Sequence, residues 1–185
     1  MSKFGSKLSS FFLMLFGWDT ENLHGFDSVE KAVLIMVPHT SIWDFVVGKM
    51  VVCKYNRKCV FFIKKEAFSW PIIGKILKKL GGIPINRGHV NTHVDDAVEA
   101  LNNNTQLWVI ITPEGTRKKV SRWKSGFHRI ALKADVPILI SYIDYKKRKA
   151  TVVEKIYPTQ DFNTDMKKIL PYYDGVRGLH IKERV

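Results

Sequence analysis

The chain has 185 residues, of which 45% are apolar and 25% charged, and 30 Lys plus Arg against 17 Asp plus Glu give a formal charge of +13. That composition is globular and excludes a disordered, collagen-like or low-complexity chain, while two cysteines, Cys53 and Cys59, are too few for a disulfide scaffold. The longest uncharged apolar run, Phe11 to Trp18, falls well short of the roughly 20 residues that a membrane-spanning helix needs.

The N-terminal segment carries Phe4, Leu8, Phe11, Phe12 and Leu15 at helical spacing, with Lys3 and Lys7 on another face and serines around them. Such a helix lies in a membrane interface or packs on a core. A signal peptide is disfavoured, because Trp18, Asp19 and Glu21 follow the apolar run where small residues would be needed. Taken with the basic charge and the motifs below, residues 1–25 read as an amphipathic membrane-interface segment ahead of a single domain, 26–185.

Beyond it, strand-length apolar runs alternate with helical patterns. Ala32 to Val37 and Cys59 to Ile63 read as buried strands, Asp44 to Tyr55 as a helix between them. Ser69 to Leu80 reads as a helix, with Pro71 early in it and Gly81-Gly82 ending it. Then come a short strand, Ile83 to Ile85, a helix, Thr92 to Asn102, capped by Thr92, and a strand, Leu107 to Thr112. Phe127 to Ala134 reads as a helix, Pro137 to Ile143 as a strand and Thr151 to Ile156 as an edge strand. This alternation predicts an α/β fold with a mostly parallel or mixed central sheet flanked by helices.

Polar residues gather just after the apolar strands: His39 after the first, Lys64 and Lys65 after the second, Arg87 after the third, Glu114 and Arg117 after the fourth. In open α/β sheets ligands bind outside the carboxyl ends of the strands, so these groups converge if the strands run the same way. His39 is a candidate general base and Asp44 a carboxylate able to fix its tautomer. Residues five apart on a regular helix differ by about 140°, so the pair meets only with His39 in the loop and Asp44 in the first helical turn. The plainer reading of Ser41-x-x-Asp44 is a capping box, and of His39 a loop histidine. Arg87 and Arg117 suit bidentate phosphate binding. Glu114 beside Gly115 puts a carboxylate on tight backbone after a buried strand. Plain turn or basic-loop roles are the alternatives.

The order of these blocks is more specific than any one of them. His39-x4-Asp44, then Gly82, Ile83, Ile85 and Arg87, then Pro113-Glu114-Gly115-Thr116-Arg117, then Val136-Pro137-Ile138, resemble the glycerophospholipid acyltransferase family, the family of lysophosphatidic acid acyltransferases. The resemblance covers about Val33 to Ile143. It implies acyl transfer from a thioester, acyl-CoA or acyl-carrier protein, directly to a hydroxyl, with His39 as base and Asp44 as its support. It implies acceptor-phosphate binding by Arg87 and Arg117, with Glu114, Gly115 and Thr116 shaping the site and Lys64 as a further cation. It implies no cofactor and no metal. The chain departs from the common pattern at Pro38, Trp43 and Ile111-Thr112, which bears on the acceptor: 1-acylglycerol-3-phosphate is the default, a lyso-aminolipid or another hydroxyl the alternative. The expected setting is cytoplasmic, peripherally on the inner face of an anionic membrane.

A basic nucleic-acid- or membrane-binding module without catalysis is the rival class. No helix-turn-helix, zinc-finger or RNP-type pattern appears, so no nucleic-acid partner is expected. His89-x3-His93, followed by Asp95 and Asp96, has metal-ligand residue types at helical spacing, but Thr92 reads as the cap of a helix that the aspartates open, and Cys53-x5-Cys59 brings no second Cys pair, so no metal site is expected. His128, Trp108 and Trp123 read as structural.

Overall fold

The computed structural model describes residues 3–20, 26, 28–85 and 90–180. It contains a six-stranded mixed sheet in the order β3-β2-β4-β1-β5-β6. The strands are β1 (Lys31–Val37), β2 (Cys59–Lys64), β3 (Gly82–Ile85), β4 (Leu107–Ile111), β5 (Ile138–Asp144) and β6 (Lys149–Ile156). The first five run parallel, and β6 closes one edge antiparallel to β5. The α/β class is therefore as expected. β1 is buried almost throughout, which is why its sequence is a continuous apolar run rather than an alternating one.

The helices are α1 (Lys3–Leu15), α2 (Ile42–Lys54), α3 (Pro71–Lys79), α4 (Val90–Asn102), α5 (Gly126–Lys133) and α6 (Phe162–Ile169). Right-handed crossovers dictate their layer. The chain steps from β1 to β2 to β3 toward one edge, placing α2 and α3 on one face. It then returns through β4 to β5, placing α4 and α5 on the other. Packing agrees: Val47, Val51 and Val52 of α2 share one core with Leu34, Phe61 and Trp108, and Leu80, just past α3, packs on that core. On the other face Val94, Ala97 and Leu101 of α4 join Phe127 and Ile130 of α5 and Ile169 of α6. Gly81 makes the turn from α3 into β3 at φ +96°, and a Cβ there would lie 2.4 Å from the Cys59 carbonyl oxygen. No other residue type fits that turn without moving backbone.

α4 begins two residues before the expected start, so Thr92 sits inside its first turn rather than at its cap. The C-terminal α6, which the apolar pattern did not single out, is capped by Asp161 accepting from the Asn163 and Thr164 amides. α6 is tied to α5 by His128 Nε2 and Asp165 Oδ2 at 2.9 Å, both buried. His128 is thus structural, as its sequence context suggests. Trp108 is core, with Nε1 donating to the Val29 carbonyl at 3.0 Å.

α1 packs on α2 through its small residues. Leu13 is 1% exposed, Ser6, Ser9 and Ser10 lie half-buried beside it, and Ser6 Oγ donates to the Lys54 carbonyl at 2.6 Å. The apolar stripe points outward: Leu8, Phe11, Phe12 and Leu15 are exposed. No helix among the described residues is long and apolar enough to cross a membrane.

Candidate active site

β1 and β4 are neighbours, yet the chain leaves β1 for the α2 face and leaves β4 for the α5 face. A crevice opens between loops that diverge in this way, at the carboxyl ends of the strands. Both catalytic-type blocks of the sequence lie there. His39 follows β1, Pro113-Glu114-Gly115 follows β4, and the two loops are joined where the His39 amide donates to Glu114 Oε2 at 2.5 Å.

His39 and Asp44 meet. His39 Nδ1 lies 3.1 Å from Asp44 Oδ2, with Asp44 fully buried and the imidazole 23% exposed. The capping box is present as well: Ser41 caps α2, and Asp44, in the first turn, reaches back to the cap. The two readings of the motif are therefore one structure. Asp44 Oδ2 accepts from the Thr40 amide at 2.6 Å, the Ser41 amide at 2.8 Å and the imidazole, while Oδ1 accepts from the Tyr145 hydroxyl at 2.8 Å. Burial alone would push the Asp44 carboxyl up, but the bonds from His39, Ser41, Thr40 and Tyr145 together hold it below the usual carboxylate value. An ionised Asp44 accepts the Nδ1 proton, which leaves Nε2 as the basic atom of the ring.

Tyr145 was not legible in the sequence. It lies 101 residues from Asp44, in the β5–β6 turn. Burial and the Asp44 carboxylate raise its pKa, so the hydroxyl stays protonated and donates. Its ring packs edge-on against Trp18 at 5.1 Å, and its amide donates to the Arg177 carbonyl at 2.9 Å. The same C-terminal stretch reaches the loop that carries His39, where the Leu179 amide donates to Thr40 Oγ1 at 3.0 Å. Tyr145→Phe should keep the ring contact and remove one bond to a buried carboxylate. The expected result is a roughly tenfold lower kcat, unchanged KM values, and a stability profile whose acid side falls off from a higher pH, because Asp44 loses a group that depresses its pKa. An unaltered pH profile would reduce Tyr145 to packing.

A pocket of about 730 Å³ opens beside this pair, within the usual range for small-molecule sites. His39 stands on its wall. Phe61, Ile63, Leu77, Ile111, Phe127 and Ile130 give it an apolar interior, and Arg117 and Lys124 bring cationic groups to it. Gly115 and Thr116 line it too. Gly115 has φ +64°, and a Cβ there would lie 3.0 Å from the Lys124 side chain, so glycine serves both the turn and the room at the wall. The backbone of Lys64 ends β2, and its side chain lies outside the described residues. Arg87 lies outside them with the rest of 86–89, including His89 of the His89–His93 spacing. The structure thus brings together His39, Asp44, Glu114, Gly115, Thr116 and Arg117.

The family model described as Acyltransferase matches residues 19–143. The chain belongs to the acyltransferase family. Its fold resembles that of the 1-acyl-sn-glycerophosphate (LPA) acyltransferase PlsC from Thermotoga maritima, with a TM-score of 0.64 and 18% identity over 97% of this chain and 80% of that one. No curated protein matches the sequence. For this acyltransferase the matched span contains β1 to β4, all but the last residue of β5, and both blocks that form the crevice, so family and geometry point to the same part of the chain.

Proposed function

We propose that this acyltransferase moves a fatty acyl group from an acyl thioester, acyl-CoA or acyl-carrier protein, to the hydroxyl of a lysophospholipid, 1-acylglycerol-3-phosphate first among them, at a membrane surface. The observation that carries this reading is the imidazole of His39, held by buried Asp44, on the wall of an apolar pocket with cationic side chains. His39 Nε2 takes the acceptor's hydroxyl proton as the oxygen attacks the thioester carbonyl. The carbon–sulfur bond of the tetrahedral intermediate breaks, and the departing thiolate takes the proton back, giving ester and thiol. Asp44 stays ionised and stabilises the imidazolium between these steps. The apolar wall suits an acyl chain. Arg117, and Arg87 by the resemblance, suit the acceptor phosphate as bidentate donors. The outward apolar face of α1 suits the membrane.

The test is thiol release by purified protein with two donors and a panel of lysolipid acceptors. Release should depend on acceptor and be highest with a phosphomonoester headgroup. Arg117→Ala should raise the acceptor KM about tenfold and leave the thioester KM nearly unchanged, because it removes one charge-assisted contact to one substrate only. Absence of acceptor-dependent release with every donor would end the reading. Preference for an acceptor lacking the phosphate would move it to the lyso-aminolipid alternative.

A further inference from the structure

We propose that α3 is a second membrane-contact element, which lays its outer face on an anionic lipid bilayer beside the mouth of the pocket. The inference deepens the function proposed above and rests on it for what enters the pocket. Its observations are independent.

α3 turns its smallest residue inward. Gly74 is buried, and a Cβ there would lie 2.4 Å from the Phe68 carbonyl oxygen. That close approach sets which side of the helix faces out. The outer side carries Ile72, 75% exposed, and Ile76, 52% exposed, with Trp70 at 66% just before the first turn. Lys75, Lys78 and Lys79 lie exposed among them, and α3 contains no acidic residue. Interleaved bulky apolar and cationic side chains, with a tryptophan at the end, match the interfacial zone of an anionic bilayer. The formal charge of +13 points the same way.

The distribution over the molecule favours a broad flat partner. Twelve of the sixteen exposed large apolar side chains among the described residues belong to α1, its trailing Phe16, the first turn of α2, and α3 with Trp70. All of these are on the side of the sheet that carries α1, α2 and α3, whereas described α4 and α5 residues contribute none. Isolated exposed apolar residues are ordinary, but this segregation is not. Ile73 and Leu77 of α3 also line the pocket. A lipid chain leaving a bilayer in contact with α3 therefore reaches the pocket without crossing open water.

The test uses Ile72→Ser combined with Ile76→Ser in the full chain, since neither side chain lines the pocket. Co-sedimentation with phosphatidylglycerol vesicles should weaken about tenfold relative to the parent, with phosphatidylcholine vesicles binding the parent less well. Circular dichroism and thermal melting verify the fold. Thiol release with short-chain, water-soluble substrates should be unchanged, while turnover of a vesicle-borne acceptor falls. Vesicle affinity within twofold of the parent would overturn the proposal. So would a lipid-free dimer, seen by sedimentation velocity, that the double substitution dissolves, because the face would then belong to a second copy. Vesicle binding is read without turnover, so loss of binding in a chain with no transferase activity would support the docking face and sink only the assigned chemistry.

Discussion

His39→Ala is expected to lower kcat for acceptor-dependent thiol release by about 10²- to 10⁴-fold, the range a positioned general base supplies. The imidazole is partly exposed on the pocket wall, where its ring meets Asp44. The three other donors to Asp44 do not involve the ring. The fold should therefore survive, with a melting temperature within a few degrees of the parent, and a group that acts as a base should move kcat far more than KM. Substantial turnover in a folded His39→Ala chain would remove the base assignment. His39→Gln offers the same check with a hydrogen-bonding side chain of similar length but no usable basicity.

Asp44→Asn should damage both activity and stability, and that pairing distinguishes it from the histidine change. The buried carboxylate accepts four hydrogen bonds in all, from two amides, an imidazole and a phenol. An amide group offers one acceptor oxygen and aims two N–H groups at donors. At least one buried donor then goes unpaired, at a cost of about 1–3 kcal/mol, and the helix cap of α2 weakens. The imidazole also loses the anion that fixes its tautomer and stabilises its protonated form, so kcat should fall about 10²-fold or more. A pH series adds a signed check. Asp44 is depressed in the folded state, so its stabilisation is fully present above the ordinary carboxylate value of about 4. It is lost as pH falls through the lower folded value. Asp44→Asn should therefore flatten the acid side of the stability profile. Equal acid sensitivity in parent and variant would contradict the charge assigned to Asp44.

The sheet was readable because a parallel strand buried on both faces must be apolar throughout, and a run such as that of β1 fits no half-exposed element. The meeting of His39 and Asp44 was readable only as a condition. Their spacing excludes a shared face of one helix, and the cap at Ser41 supplies the needed break. Tyr145 and the stretch around Leu179 were not readable, because no local pattern marks a turn tyrosine that serves a carboxylate 101 positions away. α6 carried a signal that apolar period alone did not separate: a capping aspartate, then Phe162, Met166 and Ile169 at helical spacing. Periodicity in α1 marked the apolar stripe. It could not say which face would meet the protein, since small serines let α1 approach α2 more closely than bulky side chains would allow.

The clasp over the loop between β1 and α2 has a consequence for biosynthesis. Its fastenings come from Glu114, Tyr145 and Leu179, which lie 75, 101 and 139 positions beyond their partners. Contacts of such separation close late, after the intervening chain has collapsed. A nascent polypeptide emerging from the ribosome can form α2 early, but the loop that carries His39 is not fully fastened until Leu179 has emerged as well.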